Sequence, residues 1–89
     1  MRKHGRVDAN QKPLVAHAQA LGASWLDMSS LGDGKPDGIL GYHGRDYLVE
    51  FKTAKGHLTK DQRMFQALWR GSEVHVVRTE ADLEALLLR

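Results

Sequence analysis

Residues 36–52 read PDGILGYHGRDYLVEFK, and this stretch predicts two strands joined by a tight turn. The aromatic, β-branched and aliphatic residues of 39–43 and 47–53 are typical of strands. Gly44 and Arg45 between them suit a two-residue loop that needs a positive φ at its first position. The stretch therefore predicts an antiparallel β-hairpin, and the rest of the fold is built outward from it.

The predicted register of this hairpin brings three charged residues to one face. With that loop, Asp37 lies opposite Lys52, and Glu50 lies opposite Ile39. Side chains directly across an antiparallel pair point to the same face, and that face recurs at every second residue. A loop of four residues preserves this arrangement, whereas a loop of three or five residues separates Asp37 from Glu50. The alternate positions are predicted to face the core: Tyr47, Val49, Phe51 and Thr53.

The segments around the hairpin predict three helices and two further strands. A helix is expected from Pro13 to about Gly22, and two others are opened by the capping boxes at 59–62 and 79–82. Strands are expected at 24–28 and 73–78, and loops at 29–38 and 54–58. The order α-β-β-β-α-β-α predicts an α/β (α+β) domain, with one mixed sheet flanked by helices.

Composition limits the classes of protein and site. The 89 residues suit a single domain over 11–89, preceded by a basic N-terminal arm over 1–10. The absence of cysteine excludes disulfides, thiolate metal sites and cysteine nucleophiles. Neither a signal peptide nor a membrane-spanning apolar run is present, which predicts a cytoplasmic protein without a membrane partner. Net charge is +2, with basic residues gathered at 2–6 and 52–63. This clustering suits a phosphate-facing surface or, equally, an ordinary solvated one.

Two carboxylates and a lysine on one face suit a divalent cation. Asp37 and Glu50 offer the hard oxygen ligands that Mg²⁺ or Mn²⁺ prefers, and the backbone carbonyl of Phe51 is a reasonable further ligand. Such a metal activates water and binds phosphate oxygens. Lys52 is placed to orient that water, and glycines 32, 34 and 38 are expected to clear space beside it. The alternative is a surface ion pair between Asp37 and Lys52, which would contribute little to stability.

The same residues resemble a known nuclease signature. Pro36-Asp37 followed by Glu50-Phe51-Lys52 looks like the PD-(D/E)XK motif, and the element order is similar to that superfamily's restriction-endonuclease-like αβββαβ core. The segments at 27–40, Leu58-Thr59-x-x-Gln62 and 71–77 are similar to the small, phage-associated, junction-resolvase-like VRR-NUC-type branch. The resemblance extends from about Asp8 to Leu87.

This resemblance implies a metal-dependent endodeoxyribonuclease that hydrolyses phosphodiester bonds in branched, junction or flap DNA as a homodimer. It needs Mg²⁺ or Mn²⁺ and no small-molecule cofactor. Carried over by position, Asp37 and Glu50 would be metal ligands, Lys52 the catalytic lysine, and Gln62 the helix glutamine near the site. Relatives often carry a glutamate on the first helix, where this chain reads Gln11-Lys12-Pro13. Asp8 and Asn10 are the two candidate substitutes.

Several residues have both a functional and a structural interpretation. Gln62 completes a capping box, which is its leading interpretation, and also follows the predicted site strand closely. Ser29 and Ser30 suit a turn as well as a phosphate contact. The histidines lack metal-ligand spacing and are expected at the surface. Five basic residues are predicted to contact DNA: Arg6, Lys35, Lys55, His57 and Lys60. Two other classes remain open, an inert nucleic-acid-binding module with the nuclease fold and a small interaction protein.

Overall fold

The computed structural model describes residues 9–89. Its elements follow the predicted order, with one 3-10 turn added at Ser29–Leu31: α1 (Gln11–Ala20), β1 (Ser24–Asp27), β2 (Gly38–Tyr42), β3 (Arg45–Phe51), α2 (Lys60–Leu68), β4 (Val74–Val77) and α3 (Glu80–Leu87). Both predicted capping boxes are present, at Thr59 for α2 and at Thr79 for α3. Most of the predicted basic arm, including Arg6 and Asp8, lies outside the described residues.

The four strands form one mixed sheet in the order β1-β2-β3-β4. The first three are antiparallel neighbours, whereas β4 returns parallel to β3 after the crossover through α2. The prediction of a mixed sheet flanked by helices is confirmed. The parallel pairing matters for the site because it places the carboxyl ends of β3 and β4 at the same edge of the sheet.

The hairpin turn differs from the prediction by one residue. The loop is His43-Gly44 and not Gly44-Arg45, because Tyr42 pairs with Arg45. His43 has φ 50° and Gly44 has φ 79°, as a type I′ turn requires at both central positions. This turn follows the twist of the strands, and histidine is one of the residue types that tolerate the left-handed region.

The corrected turn shifts the register by two positions. Ile39 pairs with Leu48 and not with Glu50, and the last pair toward the open end is Gly38 with Val49. One residue further along, Asp37 therefore stands next to Glu50 and not next to Lys52. Because the shift is even, every side chain keeps its predicted face. The face assignment survives, although the predicted partners of Asp37 and Glu50 were wrong.

The core lies between the sheet and the two terminal helices. Tyr47, Val49 and Phe51 are buried there as predicted, while Thr53 is exposed beyond the end of β3. The helices contribute a shared set of small and aliphatic residues: Leu14, Ala18, Leu83, Leu86 and Leu87. Two of the final leucines are thus buried within the chain, and Leu88 is left exposed.

The middle helix, α2, lies apart from this core. None of its residues, all of which the structure describes, is buried. Met64, Leu68 and Trp69 are exposed, and Trp69 stacks on Phe65 with 5.3 Å between ring centroids. Among the described residues, no helix has both the length and the apolarity to cross a bilayer.

Candidate functional site

Three charged side chains are buried where β2 begins and β3 ends. Asp37 directly precedes β2, Glu50 is the penultimate residue of β3, and Lys52 directly follows that strand. Their relative exposures are 8%, 2% and 8%. The alternative interpretation, a surface ion pair between Asp37 and Lys52, is therefore wrong, since both residues are buried. Charged residues are seldom buried unless they are paired or bind metals, so the cluster is chemically unusual.

The side chain of Asp37 bonds to β3 just beyond the last backbone pair of the hairpin, Gly38 with Val49. Its Oδ2 accepts a hydrogen bond of 2.7 Å from the backbone N–H of Phe51. The backbone of Asp37 meanwhile accepts from Met28 N–H at 2.7 Å, on the β1 side. These two bonds fix the carboxylate of Asp37 against the last residue of β3. Asp37 and Glu50 are thereby held at the same end of the sheet.

Glu50 is the centre of the polar contacts. Its Oε2 accepts a hydrogen bond of 2.7 Å from Gln62 Nε2, and Lys52 Nζ lies 3.9 Å from the same oxygen. The first contact joins β3 to α2, and the second is an ion pair along one strand face. The lysine and the amide together partly offset the charge of Glu50, as a buried carboxylate requires.

Gln62 both caps α2 and contacts Glu50. Its backbone N–H donates to Thr59 Oγ1 at 3.1 Å, and its Oε1 accepts from Thr59 N–H at 2.9 Å, which completes the capping box. Its Nε2 is then directed at Glu50. Because a primary amide carries both a donor and an acceptor, one side chain starts α2 and contacts the site.

The donor set fits a hard divalent cation. Two carboxylates and one ammonium leave a formal excess of one negative charge in a buried cluster, which a cation would offset. A carboxylate has about four lone-pair sites, so a hydrogen bond to one oxygen is compatible with coordination. Oxygen ligands of this kind suit Mg²⁺ or Mn²⁺. Asp37 and Glu50 are the residues that would hold the ion, with the Phe51 carbonyl between them in sequence.

Two amide side chains at the start of the first helix, those of Asn10 and Gln11, carry buried oxygen atoms. Gln11 is buried, with 4% exposure, and its Oε1 has no hydrogen-bond partner within residues 9–89. Asn10 donates from Nδ2 to the carbonyl of Lys52 at 2.7 Å. In the sequence, Gln11 falls in the segment where the resembled nucleases often carry a glutamate. Its burial, which no local sequence signal shows, identifies it as the polar side chain of α1 that is withdrawn from water.

Glycines near the site make room for packing and not for a ligand. A Cβ on Gly34, whose φ is +82°, would lie 2.3 Å from the carbonyl oxygen of Asp61. A Cβ on Gly38 would lie 2.2 Å from the carbonyl oxygen of Leu26. The predicted space-clearing role of these glycines is therefore correct in kind, but the space is filled by α2 and by β1.

The basic residues predicted to contact DNA lie on the surface in the segments that flank the cluster. Lys35 is two residues before Asp37, Lys55 and His57 lie in the loop after β3, and Lys60 begins α2; all four are exposed. None of them is part of the buried cluster. Arg6 lies outside the described residues.

Two other sequence features have structural explanations. Ser29 donates both its N–H and its hydroxyl to Asp27 Oδ1, so the turn interpretation of this serine is confirmed. His17 is not a simple surface residue, because it is half-buried between α1 and α3, with Nε2 2.7 Å from Glu84 Oε2 and Nδ1 3.9 Å from Glu80 Oε2. These three side chains form a second group with metal-ligating atoms.

Comparison with known proteins identifies no relative. The chain matches no family model, no curated protein and no solved structure.

Proposed function

We propose that this protein is a Mg²⁺- or Mn²⁺-dependent endodeoxyribonuclease with a restriction-endonuclease-like PD-(D/E)XK core. The observation that supports this proposal is the buried cluster of Asp37, Glu50 and Lys52 at the end of a hairpin, with Gln62 bonded to Glu50. A buried pair of carboxylates beside a lysine is costly to stability, which favours a catalytic role over a structural one.

Each residue of the cluster has a definite task in phosphodiester hydrolysis. Asp37 and Glu50 would hold the cation, which supplies Lewis acidity and lowers the pKa of a bound water. Lys52 would orient the attacking water and offset the negative charge that develops on the phosphorus oxygens. Gln62 would fix the carboxylate of Glu50 through its Nε2. Water attacks phosphorus, the bond to one ester oxygen breaks, and that oxygen takes a proton.

The substrate and assembly follow from the resemblance to the VRR-NUC-type branch. We propose a homodimer that cleaves branched, junction or flap DNA in the cytoplasm. The exposed Lys35, Lys55, His57 and Lys60 surround the cluster in sequence and are the proposed phosphate contacts, together with Arg6. With a net charge of only +2, few phosphates can be neutralised by one chain, so pairing of two chains would strengthen binding.

The test is cleavage of supercoiled, linear and four-way-junction DNA in Mg²⁺ or Mn²⁺. Lys52→Ala should reduce the rate by about 100-fold or more, because removing one group that stabilises developing charge costs that much in enzymes generally. Arg45→Ala is the matched control, since it removes one positive charge at the opposite end of the hairpin and should retain activity. Equal cleavage by wild type and Lys52→Ala would point to a contaminant. Binding without cleavage in either metal would favour the inert DNA-binding module.

A further inference from the structure

One side chain at the start of α1 connects the carboxyl ends of two parallel strands. Asn10 Nδ2 donates to the carbonyl of Lys52 at 2.7 Å and to the carbonyl of Arg78 at 3.1 Å. Lys52 directly follows β3, and Arg78 directly follows β4. The amide of Asn10 thus joins the start of α1 to the ends of β3 and β4. Lys52 is 42 residues and Arg78 is 68 residues from Asn10 along the chain.

This use of Asn10 replaces its usual local role. Asn10 occupies the N-cap position of α1, where an asparagine side chain ordinarily accepts a bond from the first turn. Within the described chain it makes no such cap bond, and its backbone, at φ −94° and ψ 2°, is not in the usual extended N-cap conformation. Its Oδ1 is buried without a hydrogen-bond partner in residues 9–89. The amide of Asn10 therefore bonds to the two strand ends and does not cap α1.

Arg78 bonds to the loop that follows Lys52. Its Nη1 donates to the carbonyls of Thr53 and Gly56, both at 2.7 Å. The last residue pair of the sheet is Phe51 with Val77, after which Lys52 N–H still donates to the Val77 carbonyl at 3.1 Å. The backbone bonds between β3 and β4 end there. The carbonyls of residues 52, 53 and 56 instead accept hydrogen bonds from the side chains of Asn10 and Arg78.

We propose that Asn10 and Arg78 are positioning residues that set the backbone of Lys52 and so hold its ammonium group beside Glu50. The proposal rests on the proposed function, in which Lys52 is the catalytic lysine. A lysine with four rotatable bonds at the end of a strand reaches one place reproducibly only when its backbone is fixed. Precise placement matters because a shift of about 1 Å from a distant change can reduce turnover by about 100-fold.

The variants separate positioning from general stability. Asn10→Asp is nearly isosteric but replaces the donating amide with a carboxylate that faces two carbonyl oxygens. Asn10→Gln retains an amide donor with a longer reach and should recover part of the function. Ala16→Gly is the control, because it weakens α1 at an exposed position without touching either strand end. All measurements use the full chain at a temperature where each variant is folded by circular dichroism.

The first readout is steady-state cleavage. Asn10→Asp is expected to lower kcat by about tenfold or more with KM changed less than about twofold, because misplacement of a catalytic group affects the chemical step more than binding. Asn10→Gln should lie between Asp and wild type, and Ala16→Gly should match wild type. Unchanged kcat in Asn10→Asp, or an equal loss in Ala16→Gly, would overturn the positioning role.

The second readout needs no activity and separates failure of this proposal from failure of the proposed function. Amide hydrogen exchange of Lys52, without DNA or metal, reports whether its N–H stays bonded to Val77. Asn10→Asp should accelerate exchange at Lys52 selectively, relative to the core amides of Val49 and Leu83. Uniform acceleration at all three would indicate a purely structural role and reject the proposal. If wild type cleaves no DNA, selective acceleration would still establish the positioning contact.

Discussion

Glu50 is a buried charge whose removal should affect both folding and the proposed cleavage. It is 2% exposed, and its Oε2 lies 3.9 Å from Lys52 Nζ. Removing one partner of a buried ion pair usually destabilises a protein, because the other charge stays buried without compensation. We expect Glu50→Gln to abolish metal-dependent cleavage and to lower the free energy of unfolding in EDTA by about 3 kcal/mol, because Lys52 loses its buried partner. Urea denaturation without metal measures the second effect. Unchanged stability there would show that the buried ammonium of Lys52 does not depend on this carboxylate.

Gln62 allows its two roles to be tested apart. Thr59→Ala removes the cap acceptor and should cost about 1 kcal/mol of unfolding free energy, as loss of an N-cap usually does. Its effect on cleavage should be small, because the Gln62 amide still reaches Glu50. Gln62→Ala removes that donor as well and should slow cleavage by about tenfold. Thermal melts and initial rates on the same preparations compare the two variants; equal rates would assign Gln62 to the cap alone.

At the scale of residues, the sequence predicted which side chains share a face of a strand. It did not predict contacts between residues that are far apart in the chain. Asp37, Glu50 and Lys52 were assigned to one face because alternation along a strand is a local rule, and that rule tolerated an error in the turn. The hydrogen bonds from Asn10 to Lys52 and Arg78 join positions far apart in the chain, and Gln11 is buried only in the folded protein. No local pattern encodes such contacts, so the structure was needed to find them.

At the scale of elements, the hairpin turn is the clearest correction. His43 is the first residue of a type I′ turn, at φ 50°, and this region costs less for asparagine than for most other residues. His43→Asn is therefore expected to stabilise the protein by about 0.5 kcal/mol, since Asn-Gly is the preferred pair for this turn. Were Gly44 and Arg45 the loop, position 43 would be a strand residue and asparagine would destabilise it. Urea unfolding of wild type and variant decides between the two turns.

The capping boxes of α2 and α3 were predictable because each lies within four residues. The packing of these helices was not. Both begin with the same threonine-based signal, yet α3 buries three leucines against the sheet while α2 buries none. The difference arises from what each helix meets across the fold, namely the core face for α3 and the glycine-rich segment before β2 for α2.

For the whole molecule, His75 predicts how stability depends on pH. Burial lowers the pKa of His75 below its ordinary value of 6.5, an effect that Glu73 opposes and Arg89 reinforces. The unfolded chain therefore binds a proton more readily than the folded one as pH falls through about 6.5. Stability should be fully present above that pH and decrease below it, until the folded-state pKa is passed. Denaturant midpoints from about pH 7.5 to 5.5 measure this slope, and His75→Gln should flatten it; an unchanged slope in the variant would assign it to other groups.

The proposed metal binding would link the stability of the whole molecule to its chemistry. A ligand that binds only the folded state stabilises it by about 2.7 kcal/mol at 100 times its dissociation constant. Mn²⁺ should therefore raise the melting temperature of wild type, and EDTA should reverse the rise. The His17–Glu80–Glu84 group offers other ligands, so the result is interpretable only with His17→Ala measured beside it. Binding at the proposed site requires that His17→Ala keep the shift and that Asp37→Asn and Glu50→Gln lose it. The opposite pattern would place the metal between α1 and α3 and remove the main support for metal-dependent hydrolysis.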